Sequence, residues 1–146
     1  MGAIVKYHKA TFAEFFGHVD EKHPGLSDKL AADFKVYVDS GKGIVPKYFG
    51  RDAPYMQPYE AERAHLSHIH VKLPPGTFRQ DVAQYHRVCA WGNPGQDAAL
   101  VYVRGWLEED RYLLLAFLWP DAHGMAKRRP LMRYLAQLAS DWRDQN

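Results

Sequence analysis

Two runs, Ala99-Leu100-Val101-Tyr102-Val103 and Tyr112-Leu113-Leu114-Leu115-Ala116-Phe117-Leu118, are apolar at almost every position. A strand with one wet face alternates apolar and polar residues, so runs without alternation belong to central strands covered on both faces. Gly105 and the acidic stretch after it supply a turn, and the two runs read as a hairpin closed at its far end by Pro120. The rest of the chain must provide cover for such a sheet.

Ahead of the hairpin, Ala3 to Tyr7 reads as a short strand. Thr11-Phe12-Ala13-Glu14 has the spacing of a capping box, which predicts a helix starting there, with Phe12, Phe15, Phe16 and Val19 on its apolar side. Lys22-His23-Pro24-Gly25 ends it. A second helix is predicted from Ser27 to Ser40, with Leu30, Phe34, Tyr37 and Val38 at core spacing and Gly41 as a left-handed stop. Lys42 to Pro58 reads as a loop holding three prolines and the turn Phe49-Gly50-Arg51-Asp52, and Tyr85 to Trp91 as a further strand. Gly92-Asn93-Pro94-Gly95 is a loop, and Asp121 to Arg129 a polar one. Pro130 then suits the first turn of a last helix in which Leu131, Leu135, Leu138 and Trp142 share a face. Helices, an antiparallel sheet and a closing helix make an α+β layout. At 146 residues the chain reads as one domain, 1–146, able to bury roughly two-thirds of its unfolded surface. It has no signal-peptide core, no apolar run near the ~18 residues of a spanning helix, and a single cysteine, Cys89, which cannot form an internal disulfide. The expected location is the cytoplasm.

The chemistry is concentrated in Glu62 to Leu73. Strand alternation puts Ile69, Val71 and Leu73 on one side, read as core, and His68, His70 and Lys72 on the other. Two residues along a strand separate the imidazoles by about 6.6 Å, room for a phosphate or carbonyl between them. Leu66, His65 and Ser67 break the pattern, which predicts a bulge near Ser67 or a strand regular only from His68. The charge is uneven as well. From His123 to the C-terminus five cations face two carboxylates, more surplus than the net +2 of the whole chain. A clustered basic stretch steers anionic partners, although it also serves as an ordinary solvated helix face.

Three uses of the histidines compete. They can be inert surface groups. They can be two ligands of a zinc ion, with His123 or Asp52 as a third if folding brings it near, but no second His or Cys pair has ligand spacing. Or they can move protons, because an unperturbed imidazole pKa of about 6.5 lets one copy accept and another donate near neutrality. RNA cleavage divides the work this way: a base takes the 2′-hydroxyl proton, an acid protonates the departing 5′-oxygen, and cations offset charge on phosphorus. On this reading His68 and His70 are the proton-transfer pair, with His123 as a substitute for either. Arg51, Lys72, Arg87, Lys127, Arg128 and Arg129 are candidate phosphate binders, and no metal or other cofactor is required. Trp91, Tyr102, Trp106 and Tyr134 are candidates for stacking on bases, each also serving as ordinary packing.

Several short motifs in series carry a resemblance. Phe49-Gly50-Arg51-Asp52-Ala53, then Glu62-Arg63 leading to His68-Ile69-His70, then Leu100-Val101-Tyr102, then Pro120 followed by His123 and a basic, Met-containing last helix, resemble the YafO family of toxins from about Ala32 onward. The resemblance implies a RelE-like α+β domain, an antiparallel sheet of about four strands packed by two N-terminal helices and a C-terminal helix. It further implies a ribosome-dependent, metal-independent mRNA interferase, acting at the ribosomal A site on mRNA and silenced by a cognate antitoxin, with no membrane partner and homodimerisation left open. The competing readings are a toxin of the same fold acting on another target such as DNA gyrase, a zinc-dependent hydrolase, and a non-enzymatic binding module.

Overall fold

A computed structural model describes residues 2–91 and 96–146. The predicted loop at 92–95 lies outside them. Among the described residues, strands β1 (Ile4–Tyr7), β2 (Phe49–Pro54), β3 (Ser67–Val71), β4 (Ala99–Arg104) and β5 (Arg111–Leu118) form one sheet in the order β1-β5-β4-β3-β2. The helices are α1 (Lys9–Lys22), α2 (Leu26–Asp39), α3 (Tyr59–Arg63), α4 (Ala122–Met125) and α5 (Arg129–Arg143), with a 3-10 turn at Gln84–His86. The layout is α+β, as expected. The strand count is five, and β1 runs parallel to β5 while the other pairings are antiparallel.

The apolar runs became β4 and β5, paired from Ala99 opposite Leu118 to Arg104 opposite Tyr112, and every residue from Tyr112 to Leu118 is buried. Directly opposed residues share a face, so the register sorts the sheet. Ser67 and Ile69 align with Tyr102 and Leu100, Leu100 with Phe117, and Val71 with Phe49, under α1 and α2. There Phe34 packs edge-on against Tyr102 at 4.9 Å and Tyr112 at 5.4 Å, and Tyr37 against Phe49 at 5.6 Å. His68 and His70 align with Val101 and Ala99 on the opposite face. Part of that face is roofed by α5, which buries Met132, Leu135, Ala136 and Ala139 and is braced by α3. Hence the histidine side is also core along most of its length.

Several local expectations are corrected. The turn at Phe49-Gly50-Arg51-Asp52 is strand β2: as an edge strand it tolerates Pro54, and its ladder with β3 skips between Phe49 and Asp52. The bulge expected near Ser67 therefore lies across the ladder, in β2, while β3 pairs regularly with β4 from Ser67 to His70. A Cβ on Gly50 would collide with the Arg87 carbonyl, so glycine lets the Gln84–Arg87 segment lie alongside, with Arg51 N–H donating to Arg87 O at 2.7 Å. That segment holds the 3-10 turn where a strand was expected. Helix α1 begins two residues before Thr11. His8 Nδ1 caps it by accepting from Ala10 N–H at 3.0 Å, while the buried Thr11 hydroxyl donates to Leu115 O. The polar loop after Pro120 contains α4, capped by Asp121 accepting from Gly124 N–H. Helix α2 does stop as expected, with Gly41 at φ 64°.

Candidate active site

Where α5 no longer roofs the histidine face, four aromatic side chains, two of them from β3, line up with a fifth. Tyr55, just after β2, stacks on His68 at 4.0 Å with planes 12° apart. His68 and His70 follow at 5.6 Å, His70 and His123 at 5.5 Å, and His123 and Trp91 at 6.4 Å. The first four, with Asp97, Ala99, Ala122 and Ala126, enclose a hollow of about 40 Å³, space for little more than a water molecule or a single phosphoryl oxygen.

Each imidazole has a different environment. His70 is 6% exposed and its Nδ1 accepts from Cys89 N–H at 3.0 Å, so the neutral ring carries its proton on Nε2. His68 is partly buried beneath Tyr55, and its Nδ1 has no hydrogen-bond partner among the described residues. Burial is the main cause that lowers the pKa of both rings to about 4, with the charge of Arg51 acting in the same direction. Both are neutral at pH 7. His123 stands at the mouth. Its Nδ1 lies 2.8 and 2.9 Å from the two carboxylate oxygens of Asp97, and because a carboxylate accepts but does not donate, Nδ1–H is the donor. Nε2 is the nitrogen left for a substrate. Asp97 is buried and also accepts the His123 backbone N–H at 2.8 Å, so it fixes both the ring and its backbone.

The three sequence-predicted histidines are thus brought together, while the predicted cations are spread around them. Lys127 lies nearest the mouth, its ammonium 3.6 Å from the Trp91 ring centre. Arg51 donates through Nε to Tyr85 O and lies 4.1 Å over the Tyr85 ring; it does not pair with Asp52. Asp52 accepts instead from Tyr37, Tyr102 and Lys42 under α2, on the other face of the sheet. Lys72 lies past the end of β3 and outside the hollow, its ammonium 5.3 Å from the Phe78 ring centre. Arg87 is tied back to Val82 O. Arg128 and Arg129 are exposed at the start of α5. Among the described residues no group of three or more His, Cys, Asp and Glu is arranged to hold a metal ion. Of the suggested third ligands, Asp52 is engaged elsewhere and His123 is bound to Asp97. Sequence reasoning missed Asp97 and Tyr55. Tyr55 lies next to a proline in a presumed loop, and Asp97 lies 26 residues from the histidine it orients.

A five-stranded α+β fold with clustered imidazoles beside a basic helix defines a class of small domains. The family is more specific: the model of Toxin YafO, type II toxin-antitoxin system, matches residues 35–144. The chain belongs to this family of toxins, and membership implies a cognate antitoxin. The mRNA interferase toxin YafO of Escherichia coli (strain K12) is 31% identical over 121 residues, which cover 80% of this chain and 84% of that protein. No solved structure matches the chain. Among the described residues no helix is long and apolar enough to cross a membrane.

Proposed function

We propose that this chain, acting as one domain over residues 1–146, is an endoribonuclease that cuts mRNA in the ribosomal A site and so stops translation. The relative's name supports the substrate, and the Asp97–His123 pair beside His70 is the observation that carries the chemistry. In the step proposed, His123 Nε2 takes the 2′-hydroxyl proton and the 2′-oxygen attacks phosphorus. The bond from phosphorus to the 5′-oxygen breaks, leaving a 2′,3′-cyclic phosphate, and the 5′-oxygen is protonated. Sequence reasoning gave the proton transfers to His68 and His70. Their low pKa favours a different division, in which His123 moves the proton and His70 Nε2–H donates to a phosphoryl oxygen, with the His68 ring packed against His70. Lys127, Arg128 and Arg129 are the cations best placed for phosphate, ahead of Arg51, Lys72 and Arg87. A site with one oriented proton acceptor leaves the leaving group to be protonated from its surroundings, which fits a need for the ribosome.

The partner that silences such a toxin has to cover this basic end, so an acidic or amphipathic antitoxin segment is expected over the histidine face and α5, in the cytoplasm. The step involves no metal cofactor, and elemental analysis of active protein should find no stoichiometric zinc. The test is induction in cells. Wild type should arrest growth with cuts in translated mRNA, and His123→Ala should not. Growth arrest by His123→Ala equal to wild type would remove the assignment. Equal cutting of free and ribosome-bound mRNA by the purified protein would remove ribosome dependence alone.

A further inference from the structure

A second, larger depression adjoins the hollow. Ala126 lines both, and beyond it a groove of about 630 Å³ opens between the segment Met56–Tyr59 and the start of α5, with Glu62, Lys127 and Arg129 on its walls. RNA cut at His123 must continue past the scissile phosphate on both sides, and this groove is continuous with the site. Its lining supplies what a nucleotide requires. Tyr59 is 61% exposed, and its ring is steadied by Arg63, which donates to its hydroxyl at 3.2 Å. An aromatic ring of this kind is a stacking surface for a base. Trp91 is equally exposed, but it does not line this groove. Lys127 and Arg129 are exposed cations suited to a phosphate. Glu62, exposed on α3, offers only acceptors. Guanine presents two adjacent N–H donors on its pairing edge, whereas uracil presents one donor between two carbonyls that a carboxylate repels.

We infer that this groove is a nucleotide subsite flanking the cut, in which Tyr59 stacks the base, Glu62 selects guanine over uracil, and Lys127 with Arg129 holds its phosphate. The inference rests on the reading of the chain as a ribonuclease. Its test has two arms. In the first, purified protein is titrated with GMP and with UMP and followed by backbone amide NMR. GMP should shift the amides of Tyr59, Glu62 and Lys127 and bind about tenfold more tightly than UMP, the discrimination expected of one good carboxylate-to-base contact, and Glu62→Gln should abolish that ratio. In the second, cuts in ribosome-bound mRNA are mapped, and the ratio of guanine to uracil beside the cut should fall about tenfold in Glu62→Gln. Glu62 is exposed, so the variant is expected to fold, and ratios taken within one variant do not depend on its overall rate. Equal affinities for the two nucleotides, shifts elsewhere, or an unchanged flanking ratio in cutting protein would overturn the subsite. GMP binding in the groove by a protein that cuts no mRNA would leave the subsite and overturn the ribonuclease reading.

Discussion

His68 and His70 hold a single ring proton each at pH 7 because ionising either would place a positive charge among Tyr55, the sheet and a second imidazole, away from water. In the unfolded chain the same rings titrate near 6.5. Between about 4 and 6.5 the unfolded state binds more protons, so their contribution to stability is full above 6.5 and lost as pH falls toward 4. Urea midpoints should therefore drop between pH 7.5 and pH 5, and His68→Gln/His70→Gln should flatten that drop. An equal drop in wild type and variant would count against buried neutral rings. NMR titration of the ring protons should give midpoints near 4 for both. Asp97 has another role, holding the proton of His123 on Nδ1. With Asp97→Asn, the ring is free to adopt the other tautomer, and cleavage should fall more in kcat than in KM. A change confined to KM would mean that Asp97 only shapes the surface.

At the level of elements, unbroken apolar runs made β4 and β5 readable and helical periodicity made α2 and α5 readable, because each presents a long apolar pattern that tertiary packing then uses. Leu30, Phe34 and Tyr37 were placed in the core by spacing, and all three are buried. On α5 the buried line is Met132, Leu135, Ala136 and Ala139, with Leu131, Leu138 and Trp142 at its margins, since two small alanines allow the helix to lie close to the sheet. Strand β2 was unreadable for a physical reason. Gly50 and Pro54 are turn residues in isolation and became strand residues because an edge position spares Pro54 a ladder bond and the Arg87 backbone needs the space at Gly50. Asp52 likewise acts through tertiary contacts: it accepts from two tyrosine hydroxyls and Lys42 at 2.6–2.9 Å. Asp52→Ala should cost about 1–3 kcal/mol in denaturant unfolding by leaving buried hydroxyls unpaired, and a loss within error would show that these bonds are replaced by water. Ile69→Ala, a truncation at a fully buried position of β3, should cost about 2–5 kcal/mol by the same measurement.

For the whole molecule, the site depends on three segments far apart in sequence meeting at one end of the sheet. β3 supplies two rings, the Asp97–Ala99 stretch supplies the orienting carboxylate, and α4 supplies His123 just before the basic start of α5. That His68 and His70 share a face could be read from alternation. That the hollow between them is small, and that His123 stands at its mouth, could not, because both follow from how α4 and α5 pack. The clustered cations predict salt-sensitive binding to ribosome and RNA, with affinity falling steeply as salt rises and less steeply in Lys127→Ala/Arg129→Ala. The most direct test of the account is the single-turnover rate of cleavage of ribosome-bound mRNA at pH 7 by wild type, His123→Ala and His68→Ala. The account predicts a loss on the order of 100-fold or more for His123→Ala and a clearly smaller one for His68→Ala. Wild-type rates in His123→Ala, with the loss appearing in His68→Ala instead, would contradict it.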